Sequence, residues 1–183
     1  MHNYIFFILL LSLSGCVSKT VPKNMSKIKE VTTLKQFEGC YISIPDNSHD
    51  GNSLARKLIN VTYARSKKIY KVCFKVVSKK NILISGHDSK GIILGKNELS
   101  LGKEIQIQDN KLILKNNFGL PLPKYSNAGV MAAFTSEKSF YTLDIHNNLI
   151  STNSNSAVGA GLVLFFPMPL LHSSEYTYRY KRI

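Results

Sequence analysis

The chain of 183 residues sets 24 Lys and Arg against 11 Asp and Glu, a formal net charge of +13, with 44% hydrophobic residues and no Trp. That is too apolar for a disordered chain, and three Cys are too few for a disulfide-framework mini-protein or a multi-zinc domain. The length favours one domain burying roughly 70% of its unfolded surface; no apolar stretch reaches the ~20 residues of a spanning helix, which excludes a polytopic helical membrane protein.

Ile5 to Leu13 is an apolar run too short to cross a bilayer, and small residues, Ser14 and Gly15, follow it directly. This is the h-region of a secretory signal, with a weak cationic start in the Met1 amine and His2. Leu13-Ser14-Gly15-Cys16 resembles the lipobox of bacterial lipoproteins. The resemblance implies that residues 1–15 are a signal peptide and that the Cys16 thiol takes a diacylglycerol by thioether linkage. Cleavage then exposes the Cys16 amine for an N-acyl chain. The bland alternative is a chance Cys behind an ordinary apolar terminus. Two or three acyl chains, at ~0.8 kcal/mol per buried CH₂, hold a protein on a membrane almost permanently. Val17 stands where inner-membrane lipoproteins often carry Asp, so the chain resembles the class sorted to the outer membrane, facing the periplasm. Beyond this covalent lipid no cofactor is implied.

Residues 16–36 read as the lipidated terminus and a basic tether, with Lys19, Lys23, Lys27, Lys29 and Lys35 against Glu30. Such lysines either lie against anionic headgroups, at ~1 kcal/mol each, or form a solvated spacer. Apart from Cys16, two thiols remain, Cys40 and Cys73. An even remainder in an exported chain points to one disulfide, closing about 34 residues; two separate buried thiols are the alternative. There is no Cys-x-x-Cys to support thiol redox catalysis.

The globular part spans 37–183. Ser53 to about Asn60 predicts the one helix, with Leu54, Leu58 and Val61 on one face and Asn52 or Ser53 as cap. Ile69 to Val77 alternates: Tyr70, Val72, Phe74 and Val76 on one face, Lys71, Cys73 and Lys75 on the other, a half-buried antiparallel strand. Ile105–Gln108 and Lys111–Leu114 flank Asp109-Asn110, a two-residue hairpin turn, and Phe140 to Thr152 repeats the arrangement around Asn147-Asn148. The stretch 116–127, with Pro121 and Pro123, reads as a loop or edge connection. Glu175 to Arg182 alternates again, with Tyr176, Tyr178 and Tyr180 on one face. About ten short strands argue an all-β domain, either an antiparallel β-sandwich or a lipocalin-like barrel.

Between Gly51 and His87 stand Arg56, Lys57, Arg65, Lys67, Lys68, Lys71, Lys75, Lys79 and Lys80, and no acid. Functionally this is an anion-binding surface for lipid headgroups or an acidic protein; the plain reading is outward lysines that discourage edge aggregation. Nucleic acid is not expected, because of export and because 20 of the 24 cations are Lys, whereas bidentate phosphate and base recognition favours Arg. Ala157 to Leu171 carries no polar side chain: a strand buried on both faces leaving through Pro167-Met168-Pro169, an apolar contact loop anchored by Phe165, Phe166 and Met168, or the lining of a ligand cavity.

The histidine pairs His49-Asp50, His87-Asp88 and Asp144-x-His146 lack metal-ligand spacing, and no nucleophile elbow, phosphate loop or calcium loop is present. Catalysis is therefore not expected; a hydrolase built from dispersed residues would centre on His87 and His146. Phe37-x-Gly39-x-Tyr41, Ser53-Leu54, Asp144-x-x-Asn147-x-Leu149, Gly159-Ala160-Gly161 and the ending Tyr178-Arg179-Tyr180-Lys181-Arg182 are similar to a loose group of short β-rich bacterial envelope lipoproteins. That resemblance implies no activity or substrate. The expectation is a lipid-anchored binding or assembly module with a basic surface, and the alternative a lipocalin-like carrier of an apolar ligand.

Overall fold

The computed structural model describes residues 17–20, 26–46, 53–59, 61–115, 124–126, 129–163 and 166–183. Cys16, the signal segment, His49-Asp50 and Phe165 lie outside these residues. So do the side chains of 116–137 and 157–172, hence those of Phe166 and Met168.

The described chain is all-β. In order it forms β1 (Val17–Thr20), a 3-10 turn (Leu34–Phe37), β2 (Gly39–Ile42), α1 (Leu54–Ile59), α2 (Tyr63–Ser66), β3 (Lys71–Val76), β4 (Asn81–His87) and β5 (Ile93–Ser100). Then follow β6 (Ile105–Gln108), β7 (Lys111–Leu114), β8 (Lys124–Ser126), β9 (Gly129–Leu143), β10 (Leu149–Val163) and β11 (Phe166–Tyr180). One sheet runs β1-β11-β10-β9-β7-β6 with β8 added to β9; the other runs β2-β3-β4-β5. Near the ends of β5 and β6 a single bridge, Leu101 to Ile105, is formed. The described sheets therefore remain a sandwich and do not close into the lipocalin-like barrel.

Several expectations change in detail. Two short helices form rather than one, because Thr62 accepts a hydrogen bond from the Arg65 amide and so caps a second turn. The last three strands are 15 residues each, not short. The Pro167-Met168-Pro169 segment lies inside β11 instead of forming a turn, and Lys124–Ser126, within the expected loop or edge connection, is a short strand paired to β9. β1 runs parallel to β11, with Val17 opposite Ser173, so the sheet is not purely antiparallel.

The chain divides into two compact units. The smaller gathers Val17–Thr20, β8 and the portions of β9, β10 and β11 lying between 129–138, 153–163 and 166–176. The larger holds the four-stranded sheet, both helices, β6, β7 and the segments 139–152 and 177–183. Its core is contributed by both sheets: Tyr41, Val72, Phe74, Ile82, Ile84 and Leu99 from one, Ile105, Leu112, Tyr141, Leu143, Leu149 and Tyr180 from the other, all buried.

The second half of the expected tether belongs to this larger unit. Ile28 bridges to Asp144, the Lys29 amide donates to the Leu143 carbonyl, and Val31, Leu34 and Phe37 are buried. Gln36 shapes the segment: its Oε1 accepts from the Thr32 and Thr33 amides while its Nε2 donates to the Glu30 carbonyl. The apolar side chains here were too widely spaced to show a period, yet Val31, Leu34 and Phe37 each have a place in the core.

β2 joins the two sheets. On one side it pairs with β3; on the other Tyr41 bridges to Arg182, the Ile42 amide donates to Lys181 and the Ile183 amide donates to Cys40. Cys40 and Cys73 stand directly opposite across β2 and β3 and form a disulfide, with Cα atoms 4.0 Å apart. α1 packs on the inner side of β4 and β5 at Gly86 and Gly95, which are register partners. A Cβ on Gly86 would lie 2.9 Å from Ile59 Cδ1 and 2.7 Å from Ile69 Cδ1, and one on Gly95 would lie 2.9 Å from Val61 Cγ1. The two glycines make a flat floor on which the helix end and Val61 rest.

Candidate anion-binding face

The strand period sets this face. Along β3, Val72 and Phe74 point into the core, so Lys71, Cys73 and Lys75 point out; along β4, Ile82, Ile84 and Gly86 are inward, so Leu83, Ser85 and His87 are outward. Antiparallel register turns these into rows. One row reads Ile42, Lys71, His87, Ile93; the next Cys40, Cys73, Ser85, Lys96; the third Lys75, Leu83, Glu98. The shift of register at Gly86/His87 is a bulge, and it brings Ile93 rather than Leu94 opposite His87.

The cations expected to mark the surface are where an anion could reach them. Arg65, Lys67, Lys68, Lys75, Lys79 and Lys80 are exposed and Lys71 is half-buried. Among the described residues none of the seven pairs with a carboxylate. They divide into three places: Lys71 and Lys75 on the open sheet face, Lys79 and Lys80 in the β3–β4 turn, and Arg65, Lys67 and Lys68 at α2. Tyr63, half-exposed at 49%, carries Lys67 Nζ 4.5 Å and Arg56 Cζ 5.7 Å from its ring centre. Lys57 instead lies over the buried Tyr178 ring, 4.7 Å from its centre. Tyr70, placed by alternation on the inward face, is exposed because it precedes the strand proper.

The centre of the face is Ser85–His87. Ser85 Oγ and His87 Nε2 are 2.8 Å apart, and His87 Nδ1 is 3.2 Å from the Gly91 carbonyl. A carbonyl only accepts, so in the neutral ring Nδ1 carries the proton and Nε2 accepts from the Ser85 hydroxyl. The nearby acids are engaged elsewhere. Asp88 Oδ1 accepts from the Lys90 and Ile92 amides, closing a turn, and Glu98 accepts from Asn81 Nδ2. Lys96, which sequence reading missed, enters because register places it opposite Ser85.

Of the other histidine pairs, His49-Asp50 lies outside the described residues, and Asp144-x-His146 belongs to a turn of its own. Asp144 is fully buried; its Oδ1 accepts from the His146 and Asn148 amides and its Oδ2 from Asn148 Nδ2, so it builds a turn while the His146 side chain stays exposed. Among the described residues no three His, Cys, Asp or Glu stand together as a metal site. The tyrosine face of β11 is taken up by the core: Tyr178 and Tyr180 are buried, and burial beside Tyr141 and Tyr178 pushes the Tyr180 hydroxyl well above the ordinary tyrosine range.

No protein-family model, curated protein or solved structure matches the chain.

Proposed function

We propose that this chain is an envelope lipoprotein, acylated on Cys16 and held at the outer membrane facing the periplasm, whose β-sandwich is a non-catalytic binding or assembly module. Its basic face receives an anionic lipid surface or an acidic protein. The observation that carries the reading is that seven cations between Arg65 and Lys80 have no carboxylate partner among the described residues, while the back of the strand that bears Lys71 and Lys75 is engaged in the core. Uncompensated charge on an open sheet raises the local concentration of anions and steers their approach. Two of the three tyrosines that would line a carrier's cavity, Tyr178 and Tyr180, are buried in the core while Tyr176 is half-buried, which favours the module over the carrier.

Two variants test it. Cys16→Ala removes acyl labelling and releases the chain from the membrane fraction; unchanged labelling ends the anchor assignment. Reversing Lys67, Lys68, Lys71 and Lys75 to Glu changes the net charge by −8 and abolishes retention of co-purifying partners. Intact retention with a folded domain ends the role of the face.

A further inference from the structure

We propose that Ser85 and His87, flanked by Lys71 and Lys96, form a socket for a phosphate group that carries one proton. This deepens the module reading by naming a ligand chemistry, and it rests on that reading for the accessibility of the face. Lys96 is the direct partner of Ser85 from β5 and Lys71 the direct partner of His87 from β3. Directly opposed residues have Cβ atoms about 5 Å apart. Two lysines therefore stand on opposite flanks of the Ser85–His87 pair, each one strand away, and neither pairs with a carboxylate among the described residues. The Cys40–Cys73 disulfide lies in the Ser85 row and fixes the neighbouring strands.

The hydrogen-bond directions choose the anion. His87 Nδ1–H is committed to the Gly91 carbonyl, so Nε2 offers a lone pair. A phosphate with one P–OH donates that hydrogen to Nε2. The Ser85 hydroxyl, released from the ring, turns to donate to a phosphate oxygen, while Lys71 and Lys96 neutralise the remaining charge. No bond is made or broken and no proton changes owner. Sulfate has no hydrogen to donate at neutral pH, so it leaves the Nε2 lone pair facing an oxygen. The socket thus separates phosphate from sulfate, which a merely basic surface does not. A phosphate monoester fits whether it is a free small molecule or the headgroup of a lipid such as phosphatidic acid.

The test follows the His87 ring signals of the full chain by NMR while inorganic phosphate, or sulfate at equal ionic strength, is added. Saturable phosphate shifts, with sulfate about tenfold weaker or more, are expected. Lys71→Ala with Lys96→Ala weakens phosphate binding about tenfold, whereas Lys79→Ala with Lys80→Ala, an equal charge change, leaves it within about twofold. Equal phosphate and sulfate affinity, or equal loss in the two double variants, overturns the socket while leaving a general basic face standing. Vesicles identify the source. Recruitment to phosphatidic acid vesicles that free phosphate competes away supports a lipid phosphate, and saturable phosphate binding without recruitment supports a soluble one. Recruitment insensitive both to phosphate and to the Lys71/Lys96 change overturns the socket.

Discussion

Gly39 begins β2 with φ at +139°, a conformation that L side chains rarely adopt, and a Cβ there would lie 2.9 Å from the Arg182 guanidinium. That guanidinium donates to the Glu38 carbonyl, so it cannot retreat without giving up the contact. Gly39→Ala is expected to destabilise the larger unit by about 2–3 kcal/mol, combining backbone strain with displacement of Arg182. A urea midpoint unchanged from the parent would contradict this. Asp144 is the second decisive residue: three hydrogen bonds satisfy its buried carboxylate, and Asn148, one of its donors, accepts in turn from the Arg182 amide. Asp144→Ala removes those acceptors from buried donors and is expected to cost about 3 kcal/mol. Hydrogen exchange at the His146 and Asn148 amides should quicken more than exchange at β3. Uniform change would mean that the turn is not held locally.

At the scale of elements, β2 carries more of the architecture than its four residues suggest. It pairs with β3 by register and with the chain's last residues by the Tyr41–Arg182 bridge, and the disulfide ties it to β3. Cys40→Ser with Cys73→Ser frees a loop of about 34 residues in the unfolded chain and is expected to lower stability by roughly 3–4 kcal/mol. Loosening should appear first as faster exchange at the Ile42 and Ile183 amides, since both bond to the seam. Protection lost evenly across the domain would place the effect in the unfolded state alone. The β6–β7 hairpin is a contrasting case. Asp109 and Asn110 adopt φ of 50° and 60°, as their side chains permit, so the ten consecutive residues 105–114 were enough to predict it. The β2 seam offered no such signal, because its partners stand more than a hundred positions away.

For the larger unit as a whole, the tyrosines set how stability responds to alkali. Burial pushes the Tyr41 hydroxyl up to about 12, against an opposing pull from Arg182, and also raises Tyr180 well above the ordinary tyrosine range. Both are neutral when folded, and their folded values lie above the ordinary value near 10. Their contribution is therefore complete below about pH 10 and is lost as pH rises above it, up to about 12 for Tyr41, at roughly 1.4 kcal/mol per pH unit for each tyrosine. Urea midpoints at pH 9, 10 and 11 should show the fall only above 10, and Tyr41→Phe should make it shallower; a decline beginning below pH 9 would point to other groups.

The all-β class, the outward lysines of β3 and the two-residue hairpin turn were legible because each depends on neighbours in sequence: a period of two, or a residue that tolerates positive φ. Cys40 and Cys73 were legible as a pair by count, but not as partners in register. The candidate socket was only half visible. Ser85 and His87 stand two apart on one strand, whereas Lys71 and Lys96 become their neighbours only through pairing with β3 and β5. The long strands and the docking of 26–37 were likewise decided by tertiary contact, since core space for Val31, Leu34 and Phe37 exists only once the sheets are assembled. Sequence by itself determined which residues face out along each strand, through the alternation of the backbone. Tertiary structure decided which of those residues become neighbours, because register is fixed by contacts between segments far apart in the chain.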